Sequence, residues 1–277
     1  MAYLETGKSR IRMRKTLKDI LRAVTPFFIR RIFYGRIKAC RLNEDRNYNK
    51  QFYDGKMSRG WADPYDYFHD LRCRLMAESV KSGPCLDIGS GNGQTIGHLS
   101  PDIIELVTGS DISLDSIIGT SKKFPGAAFV CFDTVRPSFR PDSFETVLMG
   151  EVLEHLHSPE QILKGIYELL KPGGRLILSV PTKYGLFGII YDGIWTALRG
   201  GYNQDGHVQR FTSKVLRNYL EETGFRIDFF MNYCFVGFFV KSRTLIDLDL
   251  KLAKYLPHDL ANNWIVVATK HDGGDSV

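Results

Sequence analysis

A chain of 277 residues with 43% hydrophobic and 12% aromatic side chains has the material for one sizeable core, which excludes a disordered or fibrous protein. Five cysteines, Cys40, Cys73, Cys85, Cys131 and Cys234, are odd in number and include no Cys-x-x-Cys pair, so neither a disulfide framework nor a thiolate zinc site is expected. The formal net charge of +6 is uneven: residues 1–60 carry 16 Lys/Arg against 5 Asp/Glu, leaving 21 against 26 for the rest. No apolar run reaches the roughly 20 residues that cross a bilayer, and the start is too charged for a secretory signal. The expected setting is reducing and cytoplasmic, with peripheral membrane contact as an option.

The leader is basic and amphipathic. Arg10, Arg12, Arg14, Lys15, Lys18 and Arg22 are interleaved with Ile11, Met13, Leu17, Ile20 and Leu21, and aromatic residues with Arg30 and Arg31 follow Pro26. Residues 8–41 therefore suit an anionic membrane surface; RNA, a weaker candidate, is attracted by the same charge, and a helical lid with solvated charges is the third reading. An aromatic-rich stretch over 42–70, including Trp61, Tyr65 and Phe68, completes an N-terminal extension of residues 1–70.

A helix is expected over 71–80. Residues 85–93, Cys-Leu-Asp-Ile-Gly-Ser-Gly-Asn-Gly, then read as a strand feeding a turn in which Gly89, Gly91 and Gly93 reach left-handed dihedrals and admit a ligand close to the backbone. A helix starting at 95–99 would aim its free N–H groups at the same place. The spacing is Gly-x-Gly-x-Gly, not the Gly-x-Gly-x-x-Gly of dinucleotide sites, and no Lys-Ser/Thr follows for a triphosphate. Residues 106–111 form a second strand ending in Asp111, 24 residues after Asp87, where Rossmann-like units place a ribose-binding carboxylate. Ser113 should cap a helix reaching Lys123, residues 129–132 a third strand followed by Asp133, and 144–149 a fourth, ending at Met149.

Gly150-Glu151-Val152-Leu153-Glu154-His155 follows, then Ser158-Pro159-Glu160-Gln161 with the cap, first-turn proline and capping-box Gln of a helix over 162–170. The turn Lys171-Pro172-Gly173-Gly174 leads to a strand over 175–180. Residues 182–212, rich in glycine and aromatics and containing His207, read as a substrate-cap insertion at the carboxyl edge of the sheet. A helix over 213–223 stops at Gly224, and strands over 225–235 and 264–269 complete the pattern. Between them Leu245, Leu248, Leu252 and Leu256 recur at helical spacing near Lys251 and Lys254, which marks either a surface-seeking element or, more commonly, core packing. Residues 271–277 read as a flexible tail.

These ordered motifs resemble class I S-adenosylmethionine-dependent methyltransferases, and the 207–225 region resembles their type 11 subgroup, which includes ubiquinone-pathway enzymes. The resemblance implies an α/β fold: a Rossmann-like, doubly wound, seven-stranded sheet with its last strand antiparallel, spanning 71–270, with the N-terminal extension and the insertion appended. It implies S-adenosyl-L-methionine as cofactor, with Gly89, Gly91 and Gly93 around its methionine end. Asp111 would bind both ribose hydroxyls, Ile112 would lie against adenine and Asp133 would bind the adenine amine. Asp87 would order the turn and the cofactor amino group, and Met149 joins the cofactor-binding set.

If residues 151–155 are helical, Glu151, Glu154 and His155 share one face at i, i+3 and i+4, and with His207 they can hold a divalent ion. That set is similar to small-RNA 2′-O-methyltransferases and to ubiquinone-pathway O-methyltransferases. In related small-molecule enzymes Glu151, His155 and His207 would instead shape the pocket or act as acid or base. No Asn/Asp-Pro-Pro-aromatic tetrapeptide occurs, which disfavours methylation of amide or base nitrogens. The expected activity is O-methylation of a small or lipid-linked acceptor such as a quinone, sugar, lipid or natural product. The alternatives are metal-dependent RNA ribose methylation and a catalytically silent cofactor-binding subunit.

Overall fold

Strands that are apolar at nearly every position must be covered on both faces, and the chain meets that requirement by alternating them with helices. In the computed structural model the described residues are 66–134, 139–183, 185, 208–233 and 243–271, with side chains from 69 onward except at 243, 245 and 246. The basic leader, the aromatic stretch before 66, most of the 182–212 insertion including His207, and the tail from 272 lie outside the described residues.

Helix α1 (Asp66–Glu78) precedes β1 (Cys85–Ile88), which is buried at every position. Then come α2 (Pro101–Ile104), β2 (Val107–Asp111), α3 (Leu114–Lys123), β3 (Ala128–Cys131) and β4 (Phe144–Gly150). The chain continues through α4 (Pro159–Leu169), β5 (Leu170–Pro181), α5 (Ser213–Thr223), β6 (Phe225–Asn232), α6 (Arg243–Ala253) and β7 (Asn263–Lys270). The seven strands form one sheet in the order β3-β2-β1-β4-β5-β7-β6, with β7 antiparallel to both neighbours, as expected. Side chains alternate between two cores: Val147, Met149, Leu176 and Leu178 meet α4 and α5 residues such as Leu163 and Leu216, whereas Leu148 and Ile177 meet Met76 of α1. Strand order reverses between β1 and β4, so their carboxyl ends flank the crevice where open α/β sheets take ligands.

Local sequence signals account for most boundaries. Ser113 accepts from the Ser116 N–H and starts α3, Thr212 does the same for Val215 and α5, and Gly224 ends α5 at φ 103°. Two expectations need correction. The helix expected from residue 95 is a single 3₁₀ turn, Ile96–His98, because Pro101 keeps Ser100 extended (φ −65°, ψ 151°) and stops helical propagation. Ser158 makes no side-chain cap bond to α4; its carbonyl accepts from the Ile162 N–H instead. Of the two readings of the leucine pattern, the surface-seeking one fits Leu248 and Leu252, 47% and 44% exposed, while Asp249 and Ala253 point inward. A polar clasp secures this helix end: the Asn232 amide donates to the Ala253 and Leu256 carbonyls at 3.1 and 3.2 Å.

Candidate active site

The turn after β1 takes the backbone that its glycines permit, with φ of 71°, 53° and 77° at Gly89, Gly91 and Gly93. A Cβ on Gly89 would collide with Val152 Cγ2, so the turn also packs closely on the loop after β4. The Ser90 N–H donates to the Ser110 carbonyl at 2.8 Å, and Thr120 Oγ1 donates to the Gly91 carbonyl at 2.7 Å, fastening the turn to β2 and α3.

Asp111 stands at the mouth of this turn. Its Oδ2 accepts from the Gly91 N–H at 2.9 Å and its Oδ1 from the Ser113 N–H at 2.8 Å. The carboxylate is thereby fixed in orientation. Ile112, the next residue, is half-buried. Asp133 is half-buried just beyond β3, after Phe132, whose N–H donates to the Asp111 carbonyl at 3.1 Å. Met149, at the end of β4, is fully buried in the core cluster with Leu86 and Ile88.

Asp87 lies two residues before the turn, 4% exposed, and its Oδ2 has no hydrogen-bond partner among the described residues. Burial, with help from Asp111 and against Arg72, pushes its pKa up to about 7. Between about pH 4 and about pH 7 the folded protein thus holds a proton that the unfolded chain has released, and this group's contribution to stability falls as pH rises through that window. A cationic amino group near Asp87 selects the carboxylate, so its binding follows the opposite trend. Ligand affinity is expected to rise up to about pH 7 and then level off, and the Asp87→Asn variant should flatten the dependence; titration calorimetry across this range checks both.

Glu151, directly after β4, adopts a left-handed backbone with φ 56°, which costs an ordinary side chain about 1–3 kcal/mol. Long-range partners hold it there. Its N–H donates to the Ser179 carbonyl at 3.0 Å, and its carboxylate accepts from Ser179 Oγ at 3.2 Å and from Asn263 Nδ2 at 3.3 and 3.4 Å. Arg72, 9% exposed on α1, brings Nη1 within 3.9 Å. Burial raises the Glu151 pKa, while Arg72, Ser179 and Asn263 oppose the rise. The Arg72 guanidinium is held above its ordinary value: burial opposes its charge, but Glu151 with Cys73 and Tyr233 outweighs that. Leu153–His155 forms a 3₁₀ turn in which Glu154 is fully buried, and burial followed by Glu151 drives its pKa well upward. His155 Nε2 lies 3.8 Å from Glu154 Oε1.

The expected helical face across 151–155 does not form, because a left-handed residue cannot continue a right-handed helix. Glu151 is turned onto β5 and β7, and among the described residues no group of three His, Cys, Asp or Glu could hold a metal ion. Sequence reasoning missed Arg72, Ser179 and Asn263. Arg72 left a trace, a cation amid Leu71, Cys73, Met76 and Ala77 on a buried helix face; the other two left none.

The insertion is pinned where it leaves and returns. Thr182 bridges Phe211, and the Lys183 N–H donates to the Phe211 carbonyl at 2.7 Å. The Val208 and Gln209 N–H groups donate to the Glu154 carbonyl at 2.9 and 3.0 Å, and Gln209 Nε2 donates to the Leu156 and His157 carbonyls at 3.2 and 2.9 Å. The loop bearing His155 and the neck of the insertion are one hydrogen-bonded unit.

A family profile described as "Methyltransferase domain" matches residues 53–228. The chain is 32% identical over 101 residues to the ubiquinone/menaquinone biosynthesis C-methyltransferase UbiE of Desulfotalea psychrophila, covering 35% of this chain and 40% of that protein. It is 34% identical over 133 residues to the mitochondrial ubiquinone biosynthesis O-methyltransferase of Schizosaccharomyces pombe, covering 42% and 46%. The chain spans about half the length of the curated relatives it matches. Among solved structures, the [4+2]-cyclase SpnF superposes with a TM-score of 0.60 at 16% identity, covering 84% of this chain and 99% of that one, a likeness of fold alone. Because the family match takes in the glycine turn, both strand-end acids and the loop from Glu151 to His155, the chain belongs to the class I S-adenosylmethionine-dependent methyltransferases.

Proposed function

We propose that the protein transfers a methyl group from S-adenosylmethionine to a hydroxyl of a small or lipid-linked acceptor. The observation that carries this reading is the pairing of a backbone-anchored Asp111 carboxylate with the unpartnered Asp87 Oδ2 around one glycine turn. A vicinal diol fits the first and a cationic amino group the second, so the residues present suit the cofactor. When bound, S-adenosylmethionine supplies an electrophilic methyl group on a sulfonium.

The chain's own tasks are to position the two reactants, exclude water and take the acceptor's proton. Ser179, Asn263 and Arg72 keep the Glu151 carboxylate in one orientation at the crevice edge, where it can receive an acceptor hydroxyl. His155, on the loop clasped by Gln209, is the proposed proton acceptor. His207, outside the described residues, is a second candidate for the same task. The named relatives act in quinone biosynthesis, which makes a hydroquinone-type ring the first acceptor to try.

Supplying the full chain with methyl-labelled cofactor and separated lipid, aqueous and RNA fractions of a cell extract tests the reading. Label in the lipid or aqueous small-molecule fraction, unaffected by chelator, is the expected result; label confined to RNA and lost with chelator would replace it with ribose methylation. Gln209→Ala releases two carbonyl contacts behind His155, so kcat is expected to fall roughly tenfold while cofactor affinity stays within about twofold, as steady-state kinetics with calorimetry would show.

A further inference from the structure

The end of α6 and the 3₁₀ turn His258–Leu260 expose a run of large apolar side chains: Leu248 at 47%, Leu252 at 44%, Tyr255 at 74%, Leu256 at 38% and Leu260 at 37%. Clustered exposure of this kind marks an interaction surface. The platform under it is well anchored. Asn232 clasps the helix end, His258 Nδ1 meets Asn232 Oδ1 at 2.8 Å, and Trp264 Nε1 donates to the His258 carbonyl at 2.8 Å. The outward leucines therefore cannot simply roll into the core.

Charge distinguishes the possible occupants. Lys251 and Lys254 are exposed among the apolar residues, and Lys214 is exposed on α5, whose first residue Ser213 is bonded to Asp259. Of the nearby acids, Asp249 is buried and Asp259 is committed to Ser213, which leaves Asp247 exposed two turns back from Tyr255. Protein interface cores are depleted in lysine, whereas lysines at a lipid interface lay their stems along apolar surface and keep their ammonium groups at the headgroups. The pattern of exposed apolar side chains flanked by lysines fits a face that lies on a membrane; among the described residues no helix is long and apolar enough to cross one.

The same segment leads to the chemistry. Thr182 Oγ1, at the start of the insertion, donates to the Ala261 carbonyl at 2.5 Å, and Asn263 holds Glu151. We propose that this apolar and basic face docks on an anionic lipid bilayer and presents the crevice edge at Glu151 to an acceptor carried in the lipid. The proposal rests on the lipid-linked acceptor reading above.

Flotation of the full chain with vesicles of phosphatidylcholine, with and without phosphatidylglycerol, tests it. The wild-type protein is expected to float with the anionic vesicles only and to be released by high salt. Leu248→Ser with Leu252→Ser, and separately Lys251→Glu with Lys254→Glu, should each lower partitioning at least tenfold at an unchanged melting temperature. No flotation of the wild type overturns the proposal, as does equal flotation of both double variants, which would leave the leader as the lipid contact and a protein as the occupant of this face. Transfer of labelled methyl to an extracted lipid fraction is read in parallel: label found only in water-soluble acceptors, with flotation intact, refutes the lipid-linked acceptor reading and leaves docking in place.

Discussion

Replacing Asp111 by alanine is expected to weaken binding of S-adenosylmethionine and of its demethylated product by roughly 100-fold or more. The carboxylate offers a diol two charge-assisted hydrogen bonds, each about 1.5–3 kcal/mol when lost from a partly buried site. Its removal also frees the Gly91 and Ser113 N–H groups that it now orients. Asp111→Asn keeps one oxygen as acceptor and should fall between the two. Calorimetry measures all three proteins, and affinity unchanged in the alanine variant would remove Asp111 from the site.

The largest effect on stability is expected from Arg72→Ala. Arg72 is a buried cation close to Glu151, with Asp87 and Glu154 also within its influence, and deleting it leaves buried carboxyl groups uncompensated. Breaking such a group by removing one partner costs about 3–5 kcal/mol. In a domain of this size that lowers the melting temperature by roughly 10 °C. Glu151→Gln in the same background should recover part of the loss, because the amide needs no counter-charge, and the two single variants with the double variant form the cycle that measures the coupling. A full loss in the double variant would show that Arg72 stabilises through packing alone.

What was legible in the sequence was local. The strand from Cys85 to Ile88, the three glycines, the strand-end acid Asp111 and the Ser113 cap each act within a few residues, and each stands where its pattern placed it. The seven-stranded sheet with its antiparallel last strand came from the family resemblance and is borne out. What failed needed knowledge of distant neighbours. Glu151 looked like the first residue of a helical turn, yet its conformation is set by Ser179, 28 residues away, and Asn263, 112 residues away, which meet it only once β5 and β7 pair. Leu248 and Leu252 of α6 fall in a pattern that also suits core packing, but their outward orientation depends on the Asn232 clasp and on which face Asp249 and Ala253 occupy, and periodicity does not encode that choice.

A structure of the full chain with S-adenosylhomocysteine is the most direct test of the central claim, that one glycine turn with two acids binds the methyl donor. The account predicts both ribose hydroxyls within hydrogen-bond distance of Asp111 and the amino group beside Asp87. A nucleoside bound away from Gly89 to Gly93, or no binding at millimolar concentration, would contradict it.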